Sequence, residues 1–356
     1  VSLMDRNDMR STTRGLHTYY NPKVGSELRM DTNTNVLGSN PAAAAYLRNL
    51  KLDLNSYPNT YSDGLRDALA GFYGLQRENF VAGNGSDEML NTCFTTFTET
   101  GDACAVPVPS YSLYSYFVAL SGSRMREAQL TDDFQLDVDA MLGRPDDRSK
   151  ILIMPSPNNP TGNCFRQKDI EEILSKHSGL VILDEAYSEY AGRTMADKVD
   201  EFDNLVVLKT FSKVYALAAL RVGYAVTNLK VADMLNSVKV PYSLNKISEG
   251  AAVAALGDQA FVKKSIAFVL DQRPKLAAQL KGLGFEPFPT DSNFILARAP
   301  IDHRELIAGL KRHGVLIRDF GDKPRTGNCV RMTVGTADLN KVMTDAIVAV
   351  LAEAKR

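Results

Sequence analysis

Two short apolar runs do most to limit the folds open to this chain. Val181-Ile182-Leu183 ends at Asp184, and Leu205-Val206-Val207-Leu208 ends at Lys209, Thr210, Phe211, Ser212 and Lys213. A run that is apolar at every position, rather than every second one, belongs to a strand covered on both faces, as in a parallel sheet. Such strands release their polar residues at the C-terminal edge, where open α/β sheets take their ligands. An acid at the end of one strand and a lysine just past the next can then face each other across a small molecule.

The surrounding sequence repeats this arrangement. Phe80-Val81-Ala82 leads into Gly83-Asn84-Gly85-Ser86-Asp87-Glu88 and a helix to about Phe97. A strand at 103–108 is followed by Pro109-Ser110-Tyr111 and a helix to about Leu120; a strand at 150–154 is followed by the Ser156–Gly162 turn and a helix from Gln167 to His177. Strand and helix in alternation predict an α/β fold with a mostly parallel, doubly wound sheet and helices on both faces. Residues 1–40, rich in Asn, Thr, Gly and Tyr, read as an extended N-terminal arm, Pro41 to Leu50 as a short helix, and Ser62-Asp63 as the cap of a helix through Leu65, Leu69 and Phe72. After Gly223 come helices at 231–238, 243–256 and 258–283. Strands at 292–297, 315–317 and 329–333 with helices at 303–313 and the C-terminus then predict a smaller α+β domain. The expected division is an arm at 1–40, a large domain at 41–260 and a small C-terminal domain at 261–356.

Composition narrows the function classes. Lys plus Arg at 41 nearly balance Asp plus Glu at 42, which leaves no broad basic field for nucleic acid or an anionic membrane. Cys93, Cys104, Cys164 and Cys329 are scattered, without a Cys-x-x-Cys pair or a histidine at ligand spacing, which argues against a metal site and a disulfide framework and favours a reducing, cytoplasmic setting. The first fifteen residues are too charged for a signal peptide, and nowhere do eighteen apolar residues run together.

Each chemical group has an ordinary reading beside a functional one. Gly83-Asn84-Gly85-Ser86-Asp87, between strand and helix, suits a phosphate at a helix N-terminus, or simply a helix start after a glycine turn. Glu88 stands where the dinucleotide fingerprint needs its third glycine, and the loop is not a Walker loop. Asp184 fits an N-cap or a metal ligand, Lys213 a surface lysine with Lys209 as its rival, and Arg221 an ion-pair partner. The ordinary readings leave unexplained why all of these fall in order at successive strand ends. One ligand that requires the acid and the lysine together is pyridoxal phosphate, whose aldehyde forms a Schiff base with lysine and whose ring nitrogen is kept protonated by a carboxylate.

The chain resembles the aminotransferases of the fold type I pyridoxal phosphate enzymes, and among them is most similar to the histidinol-phosphate aminotransferases. The resemblance rests on Tyr57-Pro58, the 83–88 loop, Pro109-Ser110-Tyr111, Pro157–Gly162, Asp184-Glu185-Ala186-Tyr187, Thr210-Phe211-Ser212-Lys213, Leu220–Tyr224, Asn293-Phe294, Gly314–Arg318 and Arg331–Gly335, in family order over nearly the whole length. It implies that Lys213 holds the cofactor and moves the substrate proton, that Asp184 pairs with the ring nitrogen, that Asn159 and Tyr187 bond the ring's phenolic oxygen, and that Tyr111 stacks on the ring. Ser86, Asp87, Thr210, Ser212 and Arg221 would take the phosphate, with Tyr57 reaching it from the partner subunit of a homodimer. Arg318, Arg331, Asn33, Asn159 and either Tyr19 or Tyr20 would meet the substrate.

The implied reaction converts histidinol phosphate and 2-oxoglutarate to imidazole acetol phosphate and glutamate, a step of histidine biosynthesis. A decarboxylase of a phosphorylated amino acid such as threonine phosphate, or an aminotransferase for another donor such as an aromatic amino acid, would use the same lysine and acid. Departures from the family pattern gather on the substrate side: Asn33-Thr34-Asn35-Val36 replaces the usual Asn-Glu-Asn-Pro, Thr18 stands at a common proline, and Ala219 at a common glycine.

Overall fold

The computed structural model describes residues 5–17, 28–51, 53–144 and 149–354. Its strands are β1 (Leu28–Arg29), β2 (Phe80–Gly83), β3 (Ala103–Val108), β4 (Arg124–Gln129), β5 (Ile151–Pro155), β6 (Leu180–Asp184), β7 (Leu205–Thr210), β8 (Gly223–Thr227), β9 (Glu286–Pro287), β10 (Phe294–Arg298), β11 (Val315–Leu316), β12 (Arg318–Asp319) and β13 (Cys329–Thr333). Its helices are α1 (Pro41–Arg48), α2 (Asp63–Tyr73), α3 (Ser86–Phe97), α4 (Leu113–Ser121), α5 (Val138–Leu142), α6 (Gln167–Lys176), α7 (Ser188–Ala191), α8 (Leu229–Val238), α9 (Lys246–Gly257), α10 (Gln259–Gly282), α11 (His303–Arg312) and α12 (Ala337–Glu353).

Seven strands form the main sheet in the order β2-β8-β7-β6-β5-β3-β4. β4, β3, β5, β6 and β7 run parallel, and β8 pairs antiparallel with both β7 and β2. The mostly parallel expectation therefore holds, with β8 as the reversed strand. Every residue of β5, β6, β7 and β8 is buried, which is the physical reason their sequences carry no alternation.

Alternate residues of these strands feed two separate cores. Val181, Leu183, Leu205 and Val207 pack with Leu65, Leu69, Ile173 and Ala252 from α2, α6 and α9. Ile182, Val206 and Leu208 pack on the other face with Leu90, Phe94, Tyr114 and Leu235 from α3, α4 and α8. A third core gathers β10, β11, β13, α11 and α12, and takes Met30, beside β1, with it. β1 pairs in parallel with β11, while β12-β13-β10-β9 form an antiparallel sheet. α10 gives Val262 and Val269 to the first core and Leu276 and Leu280 to the third.

Two local features depart from the sequence expectation. β4 sits at the sheet edge, and its Arg-Met-Arg-Glu-Ala-Gln sequence is polar because an edge strand faces water on one side; hydrophobic pattern alone passes over it. Ser62 precedes α2 in a left-handed conformation (φ 56°) and makes no side-chain cap. Asn59 instead accepts from the backbone N–H groups of Tyr61 and Asp63 at 2.9 and 3.3 Å.

Candidate active site

The C-terminal ends of β5, β6 and β7 open into a cleft of about 330 Å³, closed on the far side by residues of β12 and β13 and by Asp31, Thr32 and Asn33 of the arm. Asp184, Lys213, Tyr187, Asn159, Tyr111, Ser86, Asp87, Thr210, Ser212, Arg221, Asn33, Arg318 and Arg331 all line it. Two expected residues are not among these. Tyr57 is 80% exposed and stacks on Tyr242 at 5.0 Å, away from this chain's own cleft. Tyr20, like Tyr19, lies outside the described residues.

At the sheet end, alternation separates the two candidate lysines. Lys209 points to the face of β7 opposite Leu208 and Thr210. There it is buried and bonded to Glu185 at 3.2 Å, Glu189 at 2.9 Å and Ser188 Oγ at 2.5 Å. Burial works against its charge, but the two carboxylates outweigh it and hold its pKa well above the ordinary value. Lys209 is thus a core ion pair. Lys213, beyond the strand end, reaches the cleft, where its Nζ donates to the carbonyl of Thr32 at 3.1 Å and lies 5.5 Å from the Tyr187 ring centre.

Asp184 is 7% exposed, and burial lifts its carboxyl from 3.8 to about 6. Two donors work the other way: the Tyr114 hydroxyl at 2.8 Å from Oδ2 and the Ala186 N–H at 3.1 Å from Oδ1. Tyr114 sits on α4 and its ring meets Tyr111 edge-on at 5.4 Å. The tyrosine is itself pushed well above its ordinary pKa, by burial first and by Asp184 second, so it remains a neutral donor. Sequence reading missed Tyr114; its position three residues after Tyr111, one turn along the same helix start, is the signal that could have found it. Removing this donor in Tyr114→Phe should raise Asp184 above about 6, and the pH dependence of cofactor affinity should move upward with it. An unchanged profile would show that the hydroxyl does not act on the carboxylate. A hydrogen bond to a charged group is worth about 1.5–3 kcal/mol, so activity should fall roughly 10- to 100-fold.

The loop before α3 forms one end of the cleft. Gly85 adopts φ 89°, and Gly223 packs so closely beneath it that a Cβ there would lie 2.2 Å from the Ser86 nitrogen. Arg221, itself left-handed at φ 52°, comes next to Gly85 and bonds Asp87 at 3.0 Å and Ser212 Oγ at 3.5 Å. The N-terminus of α3, Ser212, Thr210 and a guanidinium converge there, a donor set suited to a phosphate.

At the other end, Arg331 is buried between Phe294 and Phe320, at 5.2 and 5.4 Å from their ring centres. It donates to Asn159 Oδ1 at 2.5 Å and to the Asp31 carbonyl at 2.7 Å; its Nε is buried without a partner among the described residues. No carboxylate forms an ion pair with it among those residues, since Asp31 pairs with Arg29 at 2.7 Å. Burial first, and Arg318 as a neighbouring cation, hold its pKa below the ordinary arginine value. A buried cation without a carboxylate partner favours an incoming anion. Asn33 reaches the cleft, but its amide donates to the Tyr187 hydroxyl at 3.0 Å, so that side chain orients the phenol.

The comparisons with known proteins agree with this geometry. The sequence model of the aminotransferase class I and II family matches residues 27–349. The histidinol-phosphate aminotransferase of Methanocella arvoryzae is 33% identical, over 93% of this chain and 90% of its own length. That of Pseudomonas putida (strain W619) is 35% identical over 92% and 94% of the two chains. The structure of the Sinorhizobium meliloti histidinol-phosphate aminotransferase in complex with pyridoxal-5'-phosphate has the same fold, with a TM-score of 0.89, 23% identity and 98% of each chain covered. The extent of the family match and the identity to these relatives establish that the chain belongs to the class I and II aminotransferases.

Proposed function

We propose that the protein is a pyridoxal phosphate-dependent aminotransferase that transfers the amino group of histidinol phosphate to 2-oxoglutarate, giving imidazole acetol phosphate and glutamate. The observation that carries this reading is Lys213 and Asp184 in one cleft, with a phosphate cradle at one end and a buried, carboxylate-free arginine at the other. Relatives at about a third identity over nearly the whole chain are histidinol-phosphate aminotransferases, which supports histidinol phosphate as the donor. They do not favour decarboxylation of a phosphorylated amino acid or an aromatic donor.

The residues present fit the cofactor. The glycine turn at Gly85 brings backbone N–H groups and Arg221 to one point, and Asp184 is a buried acid whose remaining lone pairs can face a cation. When bound, pyridoxal phosphate supplies an aldehyde that captures amines and a ring that withdraws electrons. The chain supplies the rest. Asp184, held by Tyr114 and Ala186, keeps a proton on the ring nitrogen. Asn159 and Tyr187 fix the ring's hydroxyl side, and Tyr111 covers its face. Lys213, lodged between the Thr32 carbonyl and the Tyr187 ring, is the base that takes a proton from the substrate carbon and returns it. Arg331 and Arg318 hold the substrate's anionic end, phosphate in one half-reaction and carboxylate in the other.

The same reading makes the active form a homodimer in the cytoplasm. Tyr57 and its neighbours Leu54, Val240 and Tyr242 form an exposed apolar surface, which supports the partner's use of Tyr57. Four free, buried cysteines suit a reducing compartment. No described helix is long and apolar enough to cross a membrane. In domain terms the arm is residues 1–40, the cofactor domain 41–260 and the small domain 261–356.

The class assignment is tested by incubating the protein with pyridoxal phosphate, reducing with borohydride and mapping the modified peptide. Label on Lys213 supports the reading; label on Lys209, or none, overturns it. The substrate site is tested by Arg331→Ala. KM should rise for both histidinol phosphate and 2-oxoglutarate, by roughly 10²-fold for loss of a bidentate, charge-assisted contact. Unchanged values would remove Arg331 from substrate binding.

A further inference from the structure

The substrate end of the cleft holds a cation that the family motifs do not include. Lys323 lines it beside Arg318, Asp319 and Phe320. Its ammonium has no hydrogen bond or ion pair among the described residues, although the backbone beneath it is firmly placed. The Lys323 N–H donates to the Phe320 carbonyl at 3.1 Å, Asn328 N–H to Gly321 O at 3.1 Å, and the buried Thr326 hydroxyl to Phe320 O at 3.0 Å. His303, 5% exposed, bonds Asp319 at 2.8 Å and lies 3.4 Å from Asp322. Gly321 packs so tightly on its imidazole that a Cβ would come within 2.1 Å. Arg325 ties the same loop across to the Leu130 carbonyl and Asp132.

The acids at this end are already engaged. Asp31 is held by Arg29, and Asp319 accepts from His303 and from the Gly321 N–H at 2.8 Å. Arg318 and Lys323 are left as cations without an acidic partner among the described residues, and both line the space next to the buried Arg331. A single carboxylate needs no third cation once Arg331 and Arg318 engage it. A phosphate monoester, with a second pKa near 6, carries close to two charges at neutral pH.

We propose that Lys323 is a specificity residue that favours a dianionic phosphate head group over a carboxylate, placed by the His303-anchored loop of residues 318–328. This rests on the aminotransferase reading above. Coulomb energy is linear in the ligand's charge. Removing one cation should therefore cost a dianion about twice as much, on a logarithmic scale, as a monoanion.

The experiment measures the two half-reactions separately on cofactor-loaded protein, with histidinol phosphate and with glutamate, in wild type, Lys323→Ala and Lys323→Arg. For Lys323→Ala the expected loss in the second-order rate constant is about tenfold with histidinol phosphate and about threefold with glutamate, with the limiting rate of each step unchanged. Lys323→Arg should restore most of the difference. The gap between the two substrates should narrow below pH 6, as the phosphate gains a proton, and at high salt. Equal losses for both substrates, or no loss, would overturn the proposal. Wild-type protein that fails to react with histidinol phosphate while reacting with glutamate would instead overturn the proposed donor, so the two failures are distinguishable.

Discussion

Replacing Lys213 by alanine is expected to lower transamination by roughly four orders of magnitude or more while the protein still binds pyridoxal phosphate. In the proposed mechanism the variant loses both the amine that would hold the cofactor covalently and the base that would move the substrate proton. The residues proposed to hold the cofactor non-covalently are untouched: Arg221, Ser212 and the α3 N-terminus for the phosphate, Asp184 for the ring, Tyr187 and Asn159 at its side, all of which line the cleft. Among the described residues the side chain makes one hydrogen bond, to the Thr32 carbonyl, so the stability cost is about 1 kcal/mol. The checks are kcat by glutamate formation and cofactor affinity by fluorescence titration. Residual activity within tenfold of wild type would remove Lys213 from its role and reopen the question of the base.

The second large effect is expected at Asp184. Asp184→Asn keeps the shape and removes the charge, and turnover should fall by about 10²- to 10³-fold, the loss typical of removing one preorganised electrostatic partner. Stability should move the other way in the cofactor-free protein. Burial raises the Asp184 pKa from 3.8 to about 6, so the folded state disfavours the ionised form. Its contribution is least unfavourable below the unfolded value and becomes fully unfavourable as pH rises through the folded one. The cost above about pH 6 is roughly 3 kcal/mol from this shift. At pH 8, cofactor-free Asp184→Asn should therefore be at least as stable as wild type in a denaturant melt, and the difference should shrink toward pH 4. A variant that is both inactive and unstable at pH 8 would mean that Asp184 is a structural residue. Activity purchased at a cost in stability is common for a buried charge at an active site.

Much of this was legible in the sequence because the large domain writes its strands as continuous apolar runs and its chemistry at their ends. Asp184 and Lys213 could be placed from Val181–Leu183 and Leu205–Leu208 alone, since a strand buried on both faces must stop where polarity begins. The resemblance chose Lys213 over Lys209, and the structure adds the physical reason. Both lysines follow the same run, and only strand alternation sends Lys209 to the core and its carboxylates.

The edge strand β4 escaped because its outer side faces water, and Ser62 misled because a residue type favoured at caps can also take a left-handed turn without capping. Tyr114 and the Thr32 carbonyl were harder to see for another reason. A tyrosine at the start of a helix and a backbone oxygen on the arm gain their roles from contacts distant in the chain, 70 residues in one case and 181 in the other. Of the residues that would choose a substrate, the resemblance reached Arg318 and Arg331, while Lys323 was not legible. Arg331 meets Asn159 from 172 residues away in the chain, and Lys323 becomes part of the cleft through the fold of its loop on His303.

The most direct test of the whole account is a stoichiometry. Cofactor-loaded protein is given histidinol phosphate and 2-oxoglutarate, and glutamate formed is counted against histidinol phosphate consumed and carbon dioxide released. The account predicts one glutamate for each histidinol phosphate and no carbon dioxide. Consumption of donor without glutamate, or with carbon dioxide in its place, would contradict it.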